Sequence, residues 1–223
     1  DEAYLDVTGF ESIHGSIWQM ADKMKQRIRS ELGLCASTGI ASCKVVAKVA
    51  SDLSKPDGLI EVAPGEERDF LAPLPVEKLP GVGKQALKVI KGLRVHTIGG
   101  LSRTPSHTLK SRLGTAGEML HRFANGIDDR KVLPPGEGKS ISRETTFGED
   151  TRDRSFLEAT LWAQSEKVGA DLRKKGKQAK CVTLKLRYAD FSTITRSHTL
   201  RESVDTDRAI FETGIALLER ALA

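Results

Sequence analysis

Leu79-Pro80-Gly81-Val82-Gly83-Lys84 lies between a short helix-prone run, residues 75–79, and an amphipathic run, residues 85–93. Glycines two residues apart let a backbone bend sharply and come close to a ligand, because neither carries a Cβ. A helix starting after such a bend presents unpaired N–H groups and the positive end of its dipole. Lys84 adds a full charge beside them. The pattern predicts a helix-hairpin-helix in which Gly81, Val82, Gly83 and Lys84 hold one phosphate of a nucleic-acid backbone, a contact that positions the duplex and reads no bases. An ordinary Gly-rich helix turn has the same letters, and the surrounding charge favours the phosphate reading.

Outward from that turn, residues 78–112 carry Lys78, Lys84, Lys88, Lys91, Arg94, Arg103, Lys110 and Arg112 without one Asp or Glu. Residues 173–187 carry Arg173, Lys174, Lys175, Lys177, Lys180, Lys185 and Arg187, again without an acid. The net charge of +5 is therefore concentrated in two blocks. Such blocks suit a polyanion, because neutralising phosphates releases condensed counterions. For either block by itself, a solvated helix face is the alternative.

No apolar run approaches the roughly 20 residues of a membrane span, and no leader resembles a signal peptide, which points to a soluble protein. Cys35, Cys43 and Cys181 are odd in number and form no CxxC pair, so neither a disulfide framework nor a zinc knuckle is indicated. A reducing, cytoplasmic setting fits them. The five histidines are scattered without metal-ligand spacing and are assigned no chemistry.

In residues 1–9, Ala3, Leu5 and Val7 alternate with Tyr4, Asp6 and Thr8, which predicts a half-buried strand. Ile13, Ile17, Met20, Met24, Ile28 and Leu32 form the core stripe of a helix that Gly33 ends. Residues 34–40 read as a second strand. Ser42 reads as the cap of a helix burying Val45, Val46, Val49 and Leu53 before Pro56-Asp57-Gly58 stops it. Residues 64–130 then change to short helices punctuated by Gly and Pro, an all-α unit. Residues 132–138, VLPPGEG, are breaker-rich and read as an extended tether. Beyond them the pattern gives a strand over 140–147, a helix over 155–175, strands over 179–188 and 193–200, and a helix over 205–222. That order, βαββα, is one strand short of a split-βαβ sandwich, so both ends are expected to be cut inside folded units.

Two further stretches carry chemistry. They are Asp1-Glu2-Ala3-Tyr4-Leu5-Asp6, and Thr38-Gly39-Ile40-Ala41-Ser42-Cys43-Lys44 running on to Ala47-Lys48, Ala50-Ser51-Asp52 and Lys55-Pro56-Asp57-Gly58. Both resemble the palm of the Y-family translesion DNA polymerases, and are similar to the bacterial DNA polymerase IV branch in particular. The resemblance continues through Gly114, Gly117, Leu120 and Ala124-Asn125-Gly126-Ile127-Asp128 of the thumb, residues that look structural. It extends through Lys139-Ser140-Ile141-Ser142-Arg143-Glu144-Thr145-Thr146-Phe147 and Thr195-Arg196-Ser197-His198-Thr199 of the little finger. It covers nearly the whole chain in the right order. The fold it implies is α+β and multidomain: a partial α/β palm over 1–63, an all-α thumb with the helix-hairpin-helix over 64–131, a linker over 132–139, and a little finger over 140–223. The little finger would have a split βαβ-type sheet and two helices, its C-terminal strand missing.

The activity implied by the resemblance is error-prone, template-directed addition of deoxynucleotides to a primer by two-metal phosphoryl transfer. Asp1 and Glu2 would be catalytic metal ligands for two Mg²⁺ ions. Ions about 4 Å apart stabilise both the attacking and the leaving oxygen, and carboxylates are the hard ligands that Mg²⁺ prefers. Lys55 would contact the triphosphate of the incoming nucleotide. Lys44 and Lys48 would support the palm or the DNA backbone. Cys43 stands where the family usually has Asn and reads as a packing substitute. In the little finger, alternation turns Ile141 inward, while Ser140, Ser142, Arg143, Thr195, Arg196 and Ser197 would bind DNA phosphates. The implied partners are primer-template DNA, deoxynucleoside triphosphates and a sliding clamp, with no membrane, for a monomer.

In the family another acid of the metal site, the fingers and the steric gate lie upstream of these residues. The chain by itself is therefore expected to bind DNA without extending primers. Three alternatives stay open: a protein-interaction scaffold whose basic blocks are merely solvating, a non-catalytic DNA-binding module, and another helix-hairpin-helix repair protein such as a glycosylase or nuclease. The last would need a catalytic Lys or Asp on the helix after Gly83, or a flipped-base pocket, and the sequence offers no convincing one.

Overall fold

Residues 2–7 carry no regular structure in the computed structural model, which describes residues 2–10, 13, 15–134, 136 and 138–222. The strand expected over 1–9 does not form among them. Alternation supplies a face, but a strand persists only where a neighbour takes its N–H and C=O groups. Leu5 stays 60% exposed. Helix α1, Ile17–Leu32, does form: the Ser16 hydroxyl accepts from the Gln19 N–H, and Gly33 closes the helix at φ +66°. Its stripe is not core, however. Only Ala21 is buried, and Ile13 and Leu32 are exposed, because a sheet of two short strands covers little of it. Lys25 fastens α1 to the next segment, donating to the carbonyls of Asp57 (2.5 Å) and Gly58 (2.9 Å).

Strand β1, Thr38–Ile40, helix α2, Lys44–Leu53, and strand β2, Leu59–Glu61, form a βαβ unit with the strands parallel, Thr38 facing Leu59 and Ile40 facing Glu61. The strand expected over 34–40 contracts to three residues, since β2, unforeseen in the sequence, offers only three partners. Gly39 permits the helix to lie on the strand: a Cβ there would sit 2.1 Å from the Ala47 carbonyl oxygen. The cap of α2 is Cys43, not Ser42, and its side chain makes no capping bond. Ser42 instead donates to Glu67 Oε1 at 2.5 Å. Val45, Val46 and Val49 are buried as expected, joined by Ala50 rather than Leu53, which is 37% exposed.

Helix α3, Glu67–Leu71, a 3₁₀ turn, Val76–Lys78, and helices α4, Lys84–Gly92, α5, Ile98–Arg103, α6, Ser106–Leu113, and α7, Thr115–Ala124, follow without a strand among the described residues. Leu71, Leu79, Ile90, Ile98, Leu101, Leu109 and Leu120 are fully buried, and they share one hydrophobic cluster with the valines of α2. The βαβ unit and the helices after it thus have a single interior.

Contacts divide the chain into two units, Asp1–Pro134 and Pro135–Ala223. In the second, helix α8, Arg154–Lys174, starts at Asp153, whose carboxylate accepts from the N–H groups of Ser155 and Phe156. Strands β3, Ala179–Arg187, and β4, Thr193–Val204, pair antiparallel, and helix α9, Asp207–Leu222, packs on both strands and on α8. Ser165, Gly169 and Leu172 of α8 and Ile210, Gly214, Leu217 and Leu218 of α9 are buried. The strand expected over 140–147 does not form. Two ion pairs, Arg143 with Asp171 and Glu144 with Lys185, hold this segment in place of a ladder. No helix among the described residues is long and apolar enough to cross a membrane.

Candidate nucleic-acid interface

The bend between Leu79 and Lys84 is built by local backbone bonds. The Val82 N–H donates to the Leu79 carbonyl and the Gly83 N–H to the Gly81 carbonyl, each at 3.1 Å. Its glycines serve different ends. Gly81 has φ +95°, where a side chain is strained, and a Cβ there would lie 3.3 Å from both Leu120 Cδ2 and Met119 Cε. Gly83, the cap of α4, has φ −80°, and a Cβ there would meet nothing within 4 Å. Nothing in the folded chain requires glycine at 83. Val82 packs half-buried against the core, while Gly83 and Lys84 face solvent.

Around the bend, Lys91 pairs with Glu77 at 3.7 Å and Lys110 with Glu118 at 2.9 Å. Lys78, Lys84, Lys88, Arg94, Arg103 and Arg112 are exposed and have no carboxylate within ion-pair distance among the described residues. The first basic block is therefore largely uncompensated.

Glu2 and Lys55, two of the residues expected at a metal and nucleotide site, meet a half-buried polar face of α2. Asp1 lies outside the described residues. Glu2 is bound to Lys48 Nζ at 2.5 Å, Lys48 also reaches Asp52 at 3.0 Å, and Lys55 Nζ bonds Asp52 at 2.7 Å. Partial burial works against ionisation of Asp52, yet hydrogen bonds from Lys55 and Lys48 outweigh it and hold the carboxyl below its ordinary range. The hydrogen bond to Glu2 raises the Lys48 ammonium. Glu2 and Lys55 are thus brought into one chain of ion pairs, but not into a carboxylate cluster. Among the described residues no three His, Cys, Asp or Glu side chains are placed to hold a metal ion. Lys44 lies over the Tyr4 ring, 4.8 Å from its centroid.

In the second unit, Val182, Leu184, Leu186 and Ile194 are half-buried beneath the helices. The opposite face of the sheet presents Thr183, Lys185, Arg187, Thr193, Thr195 and Ser197, all exposed, with the Thr183 and Ser197 hydroxyls 2.9 Å apart. The three expected residues of β4 therefore separate: Thr195 and Ser197 belong to this face, whereas Arg196, opposite Leu184, belongs to the other. Ser140, Ser142 and Arg143 are exposed, but Arg143 is bound to Asp171. The second basic block is partly neutralised, Arg173 by Asp207 at 2.8 Å and Lys185 by Glu144 at 3.0 Å. The hydrogen bond from Lys185 holds the Glu144 carboxyl below its usual range.

Sequence reasoning missed Asp128 as the group that caps α2. Its Oδ2 accepts from the Val45 N–H at 3.1 Å across 83 residues of sequence, a separation that no local pattern reveals. It also missed Glu144, Asp171 and Asp207 as counter-charges, because acid-free blocks in sequence are not acid-free in space.

Three family models match the chain: the impB/mucB/samB family over residues 1–52, the thumb domain of DNA polymerase-iota over 77–128, and the impB/mucB/samB family C-terminal domain over 138–222. A DNA polymerase IV of Dehalococcoides mccartyi strain CBDB1 is 51% identical over 222 residues, covering 100% of this chain and 57% of the relative. One from Desulfatibacillum aliphaticivorans is 40% identical, covering 100% of this chain and 56% of the relative. The chain therefore spans a little over half the length of the curated relatives it matches. Among solved structures, a Y-family DNA polymerase chimera of Dbh and Dpo4 superposes with a TM-score of 0.78 at 23% identity, over 98% of this chain and 62% of that one. An insertion ternary complex of Dbh DNA polymerase gives 0.57 at 23% identity, over 98% and 62%. These likenesses show the fold. With family models along most of its length and relatives aligned over all of it, the chain belongs to the Y-family DNA polymerases, in the DNA polymerase IV branch.

Proposed function

We propose that the chain grips the sugar-phosphate backbone of primer-template DNA, as thumb and little finger of a translesion polymerase whose whole form adds deoxynucleotides to a primer. The observation that carries this reading is the surface around residues 79–84. An open glycine bend, read as the hairpin of a helix-hairpin-helix, leads into α4 among six exposed cations that lack acidic partners among the described residues. The hydroxyl and cation face of the β3–β4 sheet supports a second grip, with Thr195 and Ser197, and the exposed Ser140 and Ser142, as donors to phosphate oxygens. There Lys185 must exchange Glu144 for phosphate. Lys55, exposed and, among the described residues, held by Asp52 alone, is free to turn to a triphosphate.

Magnesium does not find a complete site in the described residues. Glu2, the expected ligand among them, is engaged by an ammonium group rather than facing another carboxylate. The function proposed for these 223 residues is DNA binding.

Fluorescence anisotropy of the chain with a labelled duplex across a salt series tests the grip, with primer extension run beside it. Log affinity should fall linearly with log salt, and Lys84→Ala should reduce the slope by about one without changing preference among sequences. Absence of duplex binding at low salt would overturn the reading. The glycines should also separate. Gly83→Ala is expected to leave the thermal midpoint unchanged while weakening duplex binding roughly tenfold, about one charge-assisted hydrogen bond to phosphate. Gly81→Ala should lower stability by about 1–2 kcal/mol through its positive φ alone. Equal duplex affinity in Gly83→Ala and the parent chain would show that no phosphate comes close to this backbone.

A further inference from the structure

Phe191 is the most exposed large hydrophobic residue described, at 79%, and its backbone has φ +62°, a conformation that a bulky side chain rarely adopts. The turn that imposes it is over-determined. The Phe191 N–H donates to the Tyr188 carbonyl and the Tyr188 N–H to the Ser192 carbonyl, both at 2.9 Å, while Asp190 Oδ1 accepts from the Ser192 N–H at 2.8 Å. Tyr188 is itself anchored by its hydroxyl, which donates to the Ala221 carbonyl at 3.1 Å. Backbone strain held by its surroundings, with a ring in water as its result, is the kind of outlier from which function is read.

The neighbourhood selects the partner. The turn joins the ends of β3 and β4, where Arg187 faces Thr193 and donates to its hydroxyl at 3.3 Å. Arg187 has no carboxylate within ion-pair distance among the described residues, and Thr193 and Thr195 continue the hydroxyl face beside it. The ring's neighbours in the turn are Tyr188, 39% exposed and tied by its hydroxyl to the Ala221 carbonyl, and Ala189, Asp190 and Ser192, so apolar surface is broken by polar groups where a protein partner would call for a contiguous patch. A projecting ring bordered by a guanidinium and hydroxyls matches a ligand that alternates flat apolar faces with anions.

We infer that Phe191 is a stacking platform for an unpaired base of single-stranded DNA, with the adjoining phosphate held by Arg187 and the threonines of the sheet face. The inference rests on the reading that the second unit grips DNA, and it adds that the tip of the hairpin distinguishes single-stranded from duplex DNA. Stacking on an aromatic ring tolerates any base, so no sequence preference follows.

The test compares a blunt labelled duplex with the same duplex carrying a 5′ single-stranded overhang, by anisotropy on the whole 223-residue chain. The parent chain should bind the overhang probe more tightly. Phe191→Ala should lose about 5- to 50-fold on that probe and nothing on the blunt duplex. Phe191→Trp should keep the preference, and its indole emission should be quenched by the overhang probe alone. An unchanged thermal midpoint in Phe191→Ala shows that the fold is intact. Overhang affinity in Phe191→Ala equal to that of the parent, or an equal loss on both probes, overturns the inference while leaving the grip reading intact. Failure of the parent chain to bind even the blunt duplex overturns both.

Discussion

Asp128→Ala is expected to lower the unfolding free energy of the Asp1–Pro134 unit by about 3 kcal/mol. The side chain of Asp128 is wholly buried. Its Oδ1 accepts from Arg130 Nε at 2.7 Å and from the Arg130 N–H at 3.2 Å, and its Oδ2 accepts from Arg130 Nη2 at 2.8 Å and from the Val45 N–H at 3.1 Å. Alanine would leave α2 with no side-chain cap, because Cys43 provides none. It would also strand a guanidinium that lies 4.6 Å over the Phe123 ring. Arg130 is 54% exposed and can turn to water, which places the expectation at the lower end of the range for broken buried pairs.

Burial alone would push the Asp128 carboxyl up. The Arg130 hydrogen bonds, with that from Val45, outweigh burial and hold it below the ordinary carboxylate range. A group depressed on folding stabilises fully above its unfolded value, near 4, and loses that contribution as pH falls through the folded value. The stability gap between the parent and Asp128→Asn should therefore be constant above about pH 5 and shrink below about pH 4. The two tryptophans lie one in each unit, so urea unfolding followed by Trp18 emission in a Trp162→Phe background reads the first unit alone. A gap that persists unchanged to pH 2 would show that the carboxylate charge does not hold this junction.

Gly117→Ala should have an effect of similar size, about 3 kcal/mol, at the upper end of overpacking. A Cβ at 117 would sit 2.2 Å from the Leu109 carbonyl oxygen and 2.4 Å from its carbon, so α6 and α7 must separate along rigid backbone. Leu109 and Leu120, both fully buried, lose contacts as they part. Leu120 and Met119 also flank Gly81, so duplex affinity should fall together with the Trp18 midpoint. An unchanged midpoint would mean that the two helices already yield at this crossing.

Helices were legible where local signals suffice. Gly33 ends α1 as expected, and the caps Ser16 and Asp153 start α1 and α8, each through neighbours within four residues. Strands at residues 1–9 and 140–147 failed for a common reason: alternation identifies a face but not a partner, and pairing is non-local. The same limit hid β2, whose three residues earn their strand character only from β1. At the candidate site, the glycine bend and the first basic block were readable because both are contiguous. The counter-charges of Lys185, Arg173 and Arg143 were not legible, since these partners lie 28 to 41 residues away.

The valines of α2 and the buried side chains of the helices up to α7 interlock in one interior, so packing runs on across residue 63. Grafting the βαβ segment of a relative onto these helices would cut through packed side chains, and the two pieces can be exchanged only as a matched pair. A change that loosens the packing beneath the stretch bearing Lys55 should therefore be felt at the glycine bend as well.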